Sequence, residues 1–302
     1  MYIQRNLTNQ INEELYKKYK TIYPYLKNHL PYKSPTIKQT EDIINIIKGE
    51  SVEPMLQDML SILNGSEDFK SVYALNLQNK KYIMESKVKH ALNNSEGITQ
   101  NVAFLLGMYD KEACIVGGCV RDSLLGIVPH DWDFVSSKSY EELAEQFARA
   151  GFTINETGKQ FLVLNISKNG ETFEIARYRK DGMYTDGRHP DSVEVGTIKE
   201  DSDRRDFTVN ALYFNISSDK LIDPTGQGLN DMSDNILRFV GSPEKRLDED
   251  SLRSFRFYRF IAKGFTPETK SLKAVRNLFD KCVKTTTPER MRVELEKIVG
   301  VK

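Results

Sequence analysis

The sequence predicts a mixed α/β unit with a small sheet, preceded by a helical extension and followed by an all-helical segment. Three observations carry that expectation. The first hundred residues are rich in Tyr, Asn, Lys and Ile, nearly free of Gly, and show helical periodicity. From about Glu112, short apolar runs alternate with glycine turns and amphipathic stretches, the pattern of strands interleaved with helices. From Asp231 the helical period returns. A chain of 302 residues is also too long for one ordinary core. The expected division is therefore 1–100, 101–230 and 231–302.

Taken in order, Ile11 to Ile22, Ile37 to Ile47, Met55 to Leu63 and Lys87 to Leu92 carry helical spacing. Ser34-Pro35 and Asn64-Gly65-Ser66 punctuate them, and Thr40 is placed to cap the helix beginning at Glu41. Ala113 to Val116 reads as a buried strand ended by Gly117-Gly118. A short helix follows with Val120, Leu124 and Leu125 on one face and Gly126 as its stop. Asp131 to Val135 reads as a second strand. Tyr140 to Ala150 reads as a helix with Leu143, Ala144, Phe147 and Ala148 inward. Phe161 to Ile166 and Thr172 to Tyr178 are strands around the turn Lys168-Asn169-Gly170. Ala211 to Ile216 is a further strand, closed by a turn at Ser217-Ser218-Asp219.

The 43 basic and 43 acidic side chains cancel, which excludes a polyanion binder working by bulk charge. They leave room for a local basic surface. Of 16 arginines only Arg5 precedes Arg121. Arginine suits bidentate contacts with phosphates and base edges, so the chemistry is expected after residue 110. No run of 18 apolar residues is present, so no membrane span is expected. The amino terminus has no apolar signal-peptide core. Cys114, Cys119 and Cys282 lack metal-site spacing and read as reduced thiols of a cytoplasmic protein.

Asp131 and Asp133 stand two apart, so in a strand both carboxylates share one face, with Trp132 and Phe134 on the other. Two carboxylates that close are costly unless a cation lies between them, and hard oxygen ligands suit Mg²⁺. Alone, the pair reads more readily as two solvated surface acids. Gly117-Gly118 lies thirteen residues upstream, after a strand and before a helix, where backbone can approach an anion closely. Glu174 alternates with Phe173 and Ile175 and is the candidate third acid on a returning strand. From that segment alone, a solvent-facing carboxylate is an equal reading.

These residues resemble a family. Gly117 to Gly126, followed by Asp131-x-Asp133, resembles the head domain of class II tRNA nucleotidyltransferases and bacterial poly(A) polymerases. Arg177, Tyr184 and Asp186-Gly187-Arg188-His189-Pro190 resemble its flexible loop. Arg204 to Leu212 resembles its ribose-binding motif. Asp223-Pro224-x-Gly226, Asp231 and Arg238-Phe239 match the turn into the neck. Glu249-Asp250-x-x-Arg253-x-x-Arg256 resembles the base-reading motif, and Glu289-Arg290-x-x-x-Glu294-Leu295 the last neck motif. The resemblance runs from about Ala113 to Val299 and leaves out the first hundred residues.

The resemblance implies an α/β nucleotidyltransferase head with a helical neck. It implies template-independent addition of C and A to the 3′ end of tRNA from CTP and ATP, with Mg²⁺. Asp131 and Asp133 would hold the metal, with Glu174 in support. Gly117, Gly118, Arg121 and Arg205 would bind the triphosphate, and Asp206 and Asn210 the ribose. Asp250, Arg253 and Arg256 would read the base, Asp250 and Arg253 sharing a helix face three residues apart. Tyr184, Asp186 and Arg188 belong to the loop whose presence favours adenosine addition. A poly(A) polymerase or A-adding enzyme of the same family is the nearest alternative, and a catalytically silent tRNA-binding protein the next. Members usually continue into body and tail domains where this chain ends. Either the N-terminal hundred residues replace that grip or the tRNA is held more loosely. His130 and His189 read as loop histidines, and Phe255, Phe257, Tyr258 and Phe260 as neck core. Oligomeric state is left open.

Overall fold

The computed structural model describes residues 67–184 and 190–300. The helices expected before residue 64, Asp186, Arg188 and His189 lie outside the described residues. The chain divides into two units, 1–82 and 83–302, and the second carries the site.

Helix α1 (Glu67–Asn93) precedes α2 (Gly97–Tyr109). Val88 and Leu92 of α1 and Val102, Ala103 and Leu106 of α2 are buried in the main core. Glu85 fastens α1 to a sheet edge, accepting from Leu221 N and Lys220 Nζ, each at 3.1 Å.

A seven-stranded mixed sheet follows. Its strands are β1 (Cys114–Val116), β2 (Phe134–Ser136), β3 (Thr153–Asn155), β4 (Val163–Lys168), β5 (Glu171–Arg177), β8 (Tyr213–Asn215) and β9 (Lys220–Ile222), in the order β3-β4-β5-β2-β1-β8-β9. Beside it, β6 (Arg179–Asp181) and β7 (Val193–Val195) form an antiparallel ribbon. The sheet is antiparallel except where β2 runs parallel to β5, Phe134 opposite Ile175. The β4–β5 hairpin turns through Asn169 (φ 54°) and Gly170 (φ 88°), the left-handed pair a tight two-residue turn needs.

The strand centred on Asp131–Asp133 begins later than the alternation suggested. The two carboxylates sit in the loop entering β2, although Trp132 and Phe134 are buried as expected. Helix α3 (Gly118–Leu124) buries Val120 and Leu124 but leaves Leu125 exposed, because the helix ends before it. Helix α4 (Tyr140–Arg149) starts from a capping box between Ser139 and Glu142. It buries Leu143 and Phe147 and leaves Ala148 outside.

After the sheet come α5 (Ile198–Asp203), placed before β8 in the chain, then α6 (Gly228–Asp234), α7 (Pro243–Glu249), α8 (Arg253–Ala262), α9 (Thr269–Thr285) and α10 (Pro288–Val299). A two-residue parallel ribbon, β10 (Ile236–Leu237) with β11 (Thr266–Pro267), interrupts them. Phe207 packs against Phe239, Phe257 and Phe260, so aromatic side chains join the sheet-bearing segment to α8. Phe255, Phe257 and Phe260 are core, as their spacing predicted.

Candidate active site

The end of β1 sets the site. Gly117 takes φ 79°, ψ −126°, a conformation that a side chain strains. A Cβ there would stand 3.4 Å from Arg205 Nη1 and 3.8 Å from Asp133 Oδ2. Val116 N donates to Asp133 O at 3.0 Å, tying the glycine turn to the carboxylate loop. The glycine turn, the Asp131/Asp133 loop, Arg121, Arg205 and Arg256 all line one cavity of about 410 Å³.

Asp133 is held up from the ordinary carboxylate pKa. Burial pushes it up, Arg205 pulls it down and Asp131 pushes it up again. Two acids this close favour a cation between them. Glu174 is exposed and comes one residue before Ile175, the β5 partner of Phe134. Asp131, Asp133 and Glu174 all line a second cavity, of about 760 Å³, that shares His130, Asp131 and Asp133 with the first. Among the described residues no three carboxylate, imidazole or thiol groups converge as a metal cluster.

Arg121 donates through Nη1 to Asn210 Oδ1 at 2.5 Å and through Nη2 to Asp122 Oδ1 at 2.7 Å. Asn210 donates in turn to Asp206 Oδ1 at 3.0 Å, which also accepts from Phe207 N. Arg256 grips the other oxygen of Asp206 at 2.5 and 2.8 Å. Burial opposes ionisation of Asp206, but Arg256 holds its carboxyl well below the usual range. Triphosphate, ribose and base candidates thus form one connected polar chain.

Arg205 is fixed by a residue that the sequence did not single out. Asp201 is fully buried and accepts from Arg204 at 2.7 Å, Arg205 at 3.1 Å and the Tyr213 hydroxyl at 2.6 Å. Burial would raise its pKa, but Arg205 and Arg204 outweigh that and hold it at about 2. Nothing local marks Asp201, since an acid in the first turn of a short helix reads as end-charge stabilisation. Asp203, also unexplained by its motif, pairs with Lys199 and offers its carbonyl to Arg246.

Asp250 and Arg253 do not share a helix. Asp250 closes α7 and accepts from Arg290 of α10 at 3.1 Å, whereas Arg253 opens α8. Arg253 donates to Glu249 Oε2 at 2.7 Å, Arg246 O at 3.0 Å and Arg204 O at 2.9 Å. In the turn between them Asp250 Oδ1 accepts from Leu252 N at 3.1 Å and Asp250 O from Arg253 N at 3.0 Å, a helix break that three-residue spacing does not show. Tyr184 donates to Asp181 at 2.6 Å and lines a cavity of about 700 Å³ with Arg246 and Glu249. Arg259 and Lys297 also line the 410 Å³ cavity. The three-residue repeat Arg253, Arg256, Arg259 was the available signal for Arg259. His130 is an exposed loop residue on both cavities beside the carboxylates. The cysteines are buried and unpaired, and burial pushes the Cys114 and Cys119 thiols to about 11 and about 12, so neither is a nucleophile at neutral pH.

Sheet, carboxylate loop, glycine turn and arginine-lined cavity define a nucleotidyltransferase head followed by helices. Residues 113–238 match the poly A polymerase head domain. The chain is 40% identical over 190 residues to a CCA-adding enzyme of Leuconostoc mesenteroides, covering 62% of this chain and 46% of that one. Its fold is similar to that of the Bacillus stearothermophilus CCA-adding enzyme in complex with CTP, with TM-score 0.58, 29% identity and coverage of 68% and 49%. It is also similar to the Thermotoga maritima CCA-adding enzyme complexed with tRNA, with TM-score 0.57, 28% identity and coverage of 71% and 50%. Residues 113–238 are therefore similar to a poly A polymerase head domain, and the chain is similar to the CCA-adding enzymes. It spans about half the length of the relatives it matches.

Proposed function

We propose that this chain adds C and A nucleotides to the 3′ end of tRNA from CTP and ATP without a nucleic-acid template, releasing pyrophosphate. The observation that carries the reading is the 410 Å³ cavity. It brings Gly117, Gly118, Arg121 and Arg205, suited to phosphates, onto the same wall as Asp131 and Asp133. The same acids line the second cavity, which leaves space beside the carboxylate loop for an RNA end as well as a nucleotide.

The mutual proximity of Asp131 and Asp133, and their hard oxygen donors, fit Mg²⁺. The metal would supply Lewis-acid polarisation of the reacting phosphate. Glu174 adds negative charge beside the pair. Arg121 and Arg205 neutralise triphosphate charge. Asp206, already oriented by Arg256 and Asn210, accepts from the ribose hydroxyl. Arg256 lines the cavity, and Arg253 and Asp250, oriented by Glu249 and Arg290, would supply a donor and an acceptor to a base edge, accepting cytosine and adenine and refusing uracil and guanine. Tyr184, Asp186 and Arg188 belong to the loop assigned to adenosine addition. The working division is extension 1–100, head 101–230 and neck 231–302. Three buried unpaired cysteines suit work in the cytoplasm, and no described helix is long and apolar enough to cross a membrane.

Nucleotide dependence tests this reading. On a tRNA transcript lacking its last three nucleotides, CTP alone is expected to release two pyrophosphates per tRNA and ATP alone none. Continuous pyrophosphate release with ATP alone would make the chain a poly(A) polymerase instead.

A further inference from the structure

The cavity that would take the nucleotide is lined by both acids and cations. Beside Asp131 and Asp133 it holds Arg121, Arg256, Arg259 and Lys297, from α3, α8 and α10. The arginines are each matched by a carboxylate. Arg121 pairs with Asp122 at 2.7 Å, Arg256 with Asp206 at 2.5 Å and Arg259 with Glu294 at 2.9 Å. Glu294 is buried and, among the described residues, is the one acid Lys297 meets, at 3.8 Å, so it serves two cations at once. Lys263 stands close by, exposed, with no side-chain hydrogen bond or ion pair among the described residues. Burial and the charges of Arg121, Arg259 and Lys297 all push its pKa down, with Asp122 opposing. Among the described residues these cations therefore outnumber the acids paired with them, and the surplus lies on the two lysines. Phe260, packed between the guanidinium groups of Arg121 and Arg259 at 4.9 and 5.2 Å, holds the head helix and α8 together there.

We infer that Lys297, supported by Lys263, binds the terminal phosphates of the incoming nucleotide and then the departing pyrophosphate. The inference rests on the proposed nucleotidyl transfer. A lysine is a mobile point charge on a flexible stem, suited to a group that must leave, whereas the paired arginines are fixed. The Lys297 side chain is 53% exposed, so it can move without breaking the core.

The test is equilibrium titration of the full chain with inorganic pyrophosphate in Mg²⁺, beside steady-state addition to tRNA. The variants are Lys297→Ala, Lys263→Ala, the double variant and Lys297→Arg. The double variant is expected to weaken pyrophosphate binding, and to raise KM for both CTP and ATP, by about tenfold, the scale of a lost charge-assisted contact. The loss should fall on KM rather than kcat, leave KM for tRNA in place, and be largely restored in Lys297→Arg. Unchanged pyrophosphate affinity in the double variant overturns the inference while leaving nucleotidyl transfer standing. A rise confined to KM for tRNA overturns it too and places the lysines on RNA. Wild-type protein that does not bind pyrophosphate also overturns it. Pyrophosphate binding that depends on the lysines, in a protein that adds no nucleotide, keeps the anion site and removes the proposed function.

Discussion

Arg256 of α8 donates two N–H groups to one oxygen of Asp206, at 2.5 and 2.8 Å, and so clamps the C-terminal helices to the segment that follows α5. The other Asp206 oxygen is occupied by Phe207 N and Asn210. Replacing Asp206 with Asn leaves Arg256 facing a neutral amide. The expected cost is about 3 kcal/mol, the lower end for a broken buried pair, because Arg256 keeps a third of its side chain exposed. Urea denaturation checks it, and a cost near zero would show the clamp to be ornamental to stability. The depressed Asp206 pKa means that the clamp stabilises above the usual carboxylate range and fades as pH falls.

Asp201 gives a sharper pH signature. Against the opposing effect of burial, Arg205 and Arg204 hold its carboxyl at about 2, below the ordinary aspartate range. A depressed carboxylate contributes stability that is complete above the unfolded value and lost as pH falls through the folded one. The shift corresponds to about 2 kcal/mol at neutral pH by the usual conversion. Asp201→Asn should therefore be less stable than wild type at pH 7, with the gap closing between about pH 4 and pH 2. Thermal melts across that range measure it. A gap that does not change with pH would remove the assignment.

Asp133 behaves in the opposite sense. Its pKa is raised by burial and by Asp131, so the fold gains stability when Asp133 is protonated as pH falls. Asp133→Asn should melt above wild type at neutral pH and yet add no nucleotide. Calorimetry and an incorporation assay on the same sample test both halves. A variant that retains activity would end the metal assignment to this residue, and one that melts lower would contradict the raised pKa.

Glu249 holds Arg253 at 2.7 Å, so Glu249→Gln should loosen the guanidinium without removing it. Selectivity should suffer more than rate. UTP and GTP incorporation relative to CTP is expected to rise about tenfold, the scale of one charge-assisted contact weakened at a base edge. Competition between CTP and UTP measures this. An unchanged ratio would show that Arg253 does not read the base.

How far the sequence discloses this molecule depends on range. The β1 strand, the Gly117-Gly118 turn and the Asn169-Gly170 hairpin were legible because their signals are local. Glu174 was legible as a strand residue opposite buried neighbours. The position of Asp250 and Arg253 was not, because three-residue spacing shows neither the turn in which Asp250 accepts from Leu252 N nor the contact of Asp250 with Arg290, forty residues on. Asp201 was invisible because its value comes from Arg204, Arg205 and Tyr213 folding around it. The β10–β11 ribbon was missed because two-residue strands carry no period.

The central claim is that the cavity bounded by Asp131, Asp133, Gly117 and Arg205 transfers nucleotides to an RNA end. The most direct measurement is the intact mass of a tRNA transcript lacking its last three nucleotides after incubation with the protein, CTP, ATP and Mg²⁺. The account predicts a gain of two cytidylates and one adenylate, then no further growth, and no gain with Asp131→Ala. An unextended transcript, or equal extension by the Asp131→Ala protein, would contradict it.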